Sequence, residues 1–257
     1  MKKIFCLFIG VLLLSACGVQ YKQVPYFQNL ADSGLVEESI KNNTILKIQN
    51  DDILAITVSS LNVEASAIFN MGNTSSTQGA PSGNLPTNTA NGFLVGRNGA
   101  IQLPLIGSIR VVGMSTSEAR DTIQAKLNQY LKEPAVSLRL VNFKISVLGD
   151  VARPGVYPVQ NERISVTDAL SMAGDLTITA IRNNVLLVRE HDGKRQYVRL
   201  DLQDKDIFKS PFFYLQNNDV LYIQPGNAKY ASVDASYRNV SIILSALSVI
   251  ALLISRL

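Results

Sequence analysis

The sequence predicts an α+β protein: two small domains in tandem and, after them, a C-terminal transmembrane helix. Short runs of alternating apolar residues recur between residues 45 and 225, two stretches in that span show helical spacing behind a cap, and residues 239–255 hold no charged side chain. The 257 residues suffice for one or two domains, and a composition 47% hydrophobic and 17% charged excludes disorder over most of the chain. One histidine and two cysteines cannot build a closed zinc site or a disulfide-stapled scaffold, so no metal and no cofactor is expected.

In chain order the first element is an export signal. Lys2 and Lys3 precede the apolar run Ile4–Leu14, which is too short to span a bilayer and has the length of a signal-peptide core. That run meets Leu14-Ser15-Ala16-Cys17, which resembles the bacterial lipobox, so a signal peptide over 1–16 and lipid on Cys17 are expected. The alternative is an ordinary secretory signal with an incidental cysteine. With the signal removed, 22 basic side chains face 20 acidic ones, an excess too small to argue for a nucleic-acid partner. Gly18 stands where an aspartate would resemble an inner-membrane retention signal, which points to the outer membrane. Residues 17–44 are polar and aperiodic and read as a lipid-proximal surface tether.

The first domain is placed at 45–141. Leu46-x-Ile48, the turn Asn50-Asp51-Asp52 and the alternation Leu54-x-Ile56-x-Val58 predict a hairpin. Residues 71–92, rich in Gly, Asn, Ser and Thr, predict a mobile loop. Ile101, Leu103, Leu105, Ile109 and Val111 follow at strand spacing, broken at Asn98-Gly99 and Gly107. A helix then opens with the capping box Ser115-x-x-Glu118, carries Ala119, Ile123, Leu127 and Leu131 on one face, and stops at Pro134. Val136-x-Leu138-x-Leu140 supplies a last strand.

The second domain, 142–225, opens with Ile145-x-Val147 and turns at Arg153-Pro154-Gly155. A short helix capped by Ser165 or Thr167 ends before Gly174, a hairpin turns at His191-Asp192-Gly193-Lys194, and Val220-x-Tyr222-x-x-Pro225 closes the unit. One helix on a few strands predicts a β-grasp-like fold. Residues 226–257 then hold a linker and the expected spanning helix, between the membrane-boundary residues Arg238 and Arg256, with a length of about 25 Å. Ser241, Ser245, Ser248 and Ser255 fall within an arc of about 80° on that helix. They are candidates for lining a pore or packing helices together. The alternative is that each hydroxyl bonds back to its own helix.

In this order the residues resemble the Wza-type outer-membrane polysaccharide export proteins (the OPX family). The resemblance is carried by Asp52-x-Leu54-x-Ile56-x-Val58, by Gly99-x-Ile101-x-Leu103-Pro104-Leu105-Ile106-Gly107-x-Ile109-x-Val111-x-Gly113 with Ser115-x-x-Glu118-Ala119, and by Tyr130-x-Lys132-x-Pro134-x-Val136. In the second unit, Val147-x-Gly149-x-Val151-x-x-Pro154-Gly155-x-Tyr157 and Asp168-Ala169-Leu170-x-x-Ala173-Gly174 look like an SLBB domain, a β-grasp module named for soluble-ligand binding. The resemblance implies a homo-oligomeric lipoprotein ring, often an octamer, held in the outer membrane by Cys17 lipid and a C-terminal helix, with its domains in the periplasm. It also implies a polysaccharide substrate, capsular or exopolysaccharide, and an inner-membrane copolymerase partner, often tied to a tyrosine kinase. The chain departs from the pattern in having room for one SLBB unit, in Asp51-Asp52 where Gly-Asp is usual, in Gly174-Asp175 where Gly-Gly is frequent, and in the 71–92 insertion.

No catalytic residue is expected. The chain lacks a nucleophile elbow, a Walker A run, a His-Glu-x-x-His motif and a dinucleotide fingerprint. His191 sits in a predicted hairpin tip and reads as a solvated turn residue. Asp51 and Asp52, adjacent on a turn, point apart and do not make a glycosidase pair. Arg182, Arg189, Arg195 and Arg199 are interleaved with Glu190, Asp192 and Asp201 and read as a solvated strand face. Two functions remain: an export conduit without covalent chemistry, and a monomeric periplasmic lipoprotein whose SLBB-like unit binds a soluble ligand.

Overall fold

The computed structural model describes residues 24–30, 34–40, 42, 45–73, 91–191, 193–233 and 242–249. The signal peptide, Cys17, Arg238, Ser241, Ser255, Arg256 and most of the 71–92 loop lie outside these residues.

Strand β1 (Ile53–Ser59) buries Leu54, Ile56 and Val58 on one face, as its alternation requires. A short helix α1 (Val63–Ala67), capped by Asn62, and a 3-10 turn (Ile68–Asn73) seat Phe69 in the same core. β2 (Phe93–Leu94) lies on one side of β1, and β3 (Ala100–Leu103) and β4 (Gly107–Arg110) form a separate hairpin with Ile101 opposite Ile109. Helix α2 (Thr116–Leu127) starts at the full Ser115/Glu118 capping box and buries Ala119, Ile123 and Leu127. β5 (Ala135–Leu140) then pairs antiparallel with β1, with Ile56 opposite Leu138 and Val58 opposite Val136.

One expectation is corrected here. The turn at Asn50–Asp52 is present, but Leu46–Ile48 does not fold back on β1. Lys47 bridges to Ser115, and the Ile48 backbone bonds Met114 and Gly113. Asp51 adopts φ 66°, a left-handed conformation that glycine enters freely and aspartate tolerates, and this turn sends the chain to β5 instead.

The second unit is a five-stranded sheet of order β7-β6-β10-β8-β9, built from β6 (Lys144–Gly149), β7 (Gly155–Pro158), β8 (Val185–His191), β9 (Lys194–Leu200) and β10 (Val220–Ile223). β10 runs parallel to β6 and antiparallel to β8. Helix α3 (Val166–Met172), capped by Ser165 with Asp168 as its box partner, buries Val166, Ala169 and Leu170 in the core that Ile145, Val147, Leu187 and Leu221 share. The inward face of β10 is Leu221 and Ile223. Asn218 lies at φ 66° in the turn before the strand.

The described tether runs along the second unit. Phe27 N donates to Leu202 O at 3.1 Å, Asn42 Nδ2 to Ser210 O at 2.9 Å, and Glu38 pairs with Lys205 at 2.9 Å. The Tyr26 hydroxyl donates to the Asp175 carboxylate, and burial followed by that carboxylate pushes the phenol well above its ordinary pKa.

After β10, helix α4 (Asn227–Val233) is tied to the buried Asp150 by the Lys229 ammonium. The expected C-terminal transmembrane helix is not supported: among the described residues no helix is long and apolar enough to cross a membrane. The uncharged run of the sequence was at the lower end of spanning length and diluted by four serines.

Candidate functional site

The two units meet through a pair of matching turns. Gln49-Asn50-Asp51-Asp52 leads into β1, and Gln216-Asn217-Asn218-Asp219 leads into β10. Each turn has its third residue at φ 66°, and each closes with the fourth carboxylate accepting from the first backbone N–H, at 2.7 Å for Asp52 and 2.8 Å for Asp219. The turns also bond each other: Asn217 Nδ2 donates to Asp52 Oδ1 at 2.7 Å, and Gln49 Nε2 to Gln216 Oε1 at 3.3 Å. Asn217 Oδ1 accepts from Lys144 N at 3.1 Å, so one amide satisfies both domains at the start of β6.

Both carboxylates are buried. Burial pushes the Asp52 carboxyl up, and the Gln49 N–H and the Asn217 amide pull it back only in part. Burial likewise raises Asp219, against which the Arg189 guanidinium acts. Arg189 grips Asp219 through Nε at 3.0 Å and through a terminal nitrogen at 2.6 Å, and that nitrogen also donates to Tyr214 O at 3.0 Å.

Beside this junction opens a cleft of about 860 Å³. One wall is the segment Lys47–Asp51 with Arg110 and Val112 from the end of β4; the other is the tip of the β8–β9 hairpin, with Glu190, Lys194 and Arg195. Arg195 Nε holds Glu190 at 2.8 Å, and Arg110 is steadied by donating to Asn98 O at 3.2 Å.

The arginines expected on one solvated face divide. Arg195 and Arg199 are exposed, but Arg182 and Arg189 are buried. Arg182 donates to Ala180 O and Thr177 O, both at 3.0 Å, with the Tyr26 ring 5.7 Å away. Asp51 is exposed and Asp52 buried, so they do point apart. His191 lies opposite Lys194 at the end of the hairpin. No cluster of three or more His, Cys, Asp or Glu suited to a metal occurs among the described residues. Of the serine candidates, Ser245 and Ser248 are described. The Ser248 hydroxyl donates to Ser245 O at 2.7 Å, a bond that satisfies it on its own helix. The domain junction escaped the sequence reading, although the repeated Gln-Asn-x-Asp before two strands was a signal for it.

Residues 41–141 match the family model described as polysaccharide biosynthesis/export protein, and residues 143–223 match the SLBB domain. The chain is 31% identical over 110 residues to the EPS I polysaccharide export outer membrane protein EpsA of Ralstonia solanacearum, covering 42% of this chain and 29% of that one. It is 30% identical over 109 residues to EpsA of Ralstonia nicotianae, covering 41% and 27%, and 28% identical over 88 residues to the exopolysaccharide production protein ExoF of Rhizobium meliloti, covering 33% and 21%. The aligned region thus spans less than a third of each curated relative's length.

Proposed function

We propose, proceeding from the membership of this chain in the polysaccharide biosynthesis/export family, that it carries exopolysaccharide across the outer membrane as a subunit of a homo-oligomeric conduit. In this reading the chain moves a polymer, as the relatives named for export do, and is not an enzyme. The observation that carries the reading is the tandem of an export domain over 41–141 and an SLBB domain over 143–223, with relatives named for outer-membrane export of exopolysaccharide. The structure adds support of a mechanical kind. Two small domains fused through a buried polar junction make a rigid element, as a ring that must keep an open bore requires.

In this reading Cys17 carries the lipid that anchors the chain, and the described part of the tether, laid along the SLBB unit, stands between that lipid and the first domain in sequence. Capsular polymer is a second admissible cargo. An inner-membrane copolymerase supplies the polymer from below. Removing the chain from its native host should abolish extracellular polysaccharide, and restoring it should return the polymer. Replacing Cys17 by Ala should leave a folded but mislocalised protein that fails to restore export. Undiminished extracellular polymer in the deletion strain would retire the proposal.

A further inference from the structure

We propose that the cleft between the two units is a binding site for a short, carboxylate-bearing segment of carbohydrate, and this rests on the export reading above. The cleft, at about 860 Å³, lies within the size range of small-ligand sites, roughly 300–1,000 Å³. It is therefore matched to a few sugar units and not to a folded partner.

Its charge is the selective feature. The chain as a whole is nearly balanced, yet four cations converge here, Lys47 and Arg110 from the export domain and Lys194 and Arg195 from the hairpin of the SLBB domain. Among the described residues, the acids lining the cleft are Asp51 and Glu190. Glu190 is already engaged by Arg195, whereas Lys47 and Lys194 form no ion pair among the described residues. Among the described residues a positive surplus thus lines the cleft, drawn from both domains. Arg110 spends one terminal nitrogen on Asn98 O, which fixes its plane and leaves further N–H groups for a carboxylate.

The remaining surface suits a sugar. Half-buried Val112 offers apolar atoms to the C–H face of a pyranose ring, and the exposed side-chain amide of Asn50 can donate to and accept from hydroxyls. Gly113 and Gly193 bring bare backbone to the rim, where a ligand can approach closely. Because each wall belongs to a different domain, occupancy would also bear on the junction at Asp52 and Asn217.

The test uses the full-length protein in detergent with tetragalacturonate as the acidic probe and maltotetraose as the neutral one. Tetragalacturonate should bind at least about tenfold more tightly, weaken with added salt, and lose about fivefold or more in affinity in Arg110→Gln and in Lys194→Gln. Equal binding of the two probes, or variants that bind as the parent does, would overturn the site. Variants that change the oligomer's mass and not its affinity for the probe would instead assign the cleft to contact between copies, which also overturns it. The export reading is scored separately in the deletion strain: failure of the probe to bind while deletion still abolishes export removes the site and leaves that reading standing.

Discussion

Asn217 donates to the Asp52 carboxylate across 165 residues of sequence, and both side chains are buried. The bond joins two turns of the same shape, one at the head of β1 and one at the head of β10. Truncating either residue leaves a buried polar partner unsatisfied. Asn217→Ala and Asp52→Ala should each cost about 1–3 kcal/mol, and the double variant should cost less than their sum. Urea denaturation of all four proteins checks this; strict additivity would show that the turns fold independently.

Arg189 and Asp219 form a buried ion pair inside the second domain. Arg189→Met strands the Asp219 carboxylate and should destabilise by about 3–5 kcal/mol. Adding Asp219→Asn removes the stranded charge and should recover part of that loss. Thermal unfolding with and without the second change reads the difference.

Gly149 ends β6 at φ 96°, where a Cβ would lie 2.0 Å from Ile223 O. Gly149→Ala therefore separates the parallel pair β6–β10 and should cost more than about 2 kcal/mol. Gly193, also at positive φ but with open space around its Cβ position, is the control: Gly193→Ala should cost about 1 kcal/mol, the strain of its backbone alone.

The acid limb of stability should be set partly by Asp150. Burial alone would raise this carboxyl, but the Lys229 ammonium and the Thr179 and Thr177 hydroxyls outweigh it and hold the pKa below its ordinary value. A lowered folded pKa contributes stability above the ordinary carboxylate value, near about 3.9, that is lost as pH falls through the folded value. Asp52 and Asp219 act with the opposite sign: raised by burial, they favour the fold most at low pH and less as pH rises through their folded values. Asp150→Asn should flatten the loss of stability on acidification, and Asp52→Asn should steepen it, in urea midpoints measured against pH.

Much of the body was legible in the sequence because strand alternation and capping boxes are local codes. Leu54, Ile56 and Val58 fell where the pattern put them, and Ser115 and Ser165 cap α2 and α3 with their box partners. Pairing was less legible. Asp51 at positive φ turns the chain away from the expected hairpin, and β1 pairs with β5 instead. Tertiary pairing split the arginine reading as well: Arg189 alternates inward with Val185 and Leu187, where Asp219, 30 residues on, and the Tyr214 carbonyl satisfy it. The cleft could not be seen in the sequence at all, since its walls come from segments far apart in the chain, 47–51 and 110–113 on one side and 190–195 on the other, held together by side-chain bonds such as that of Asp52 with Asn217.

Imaging the full-length protein after detergent extraction from its native membrane tests the central claim most directly. The account predicts a closed ring of identical copies around an axial channel, with the paired domains forming its wall. A particle with the mass of one chain and no channel would contradict it and favour a monomeric ligand-binding lipoprotein.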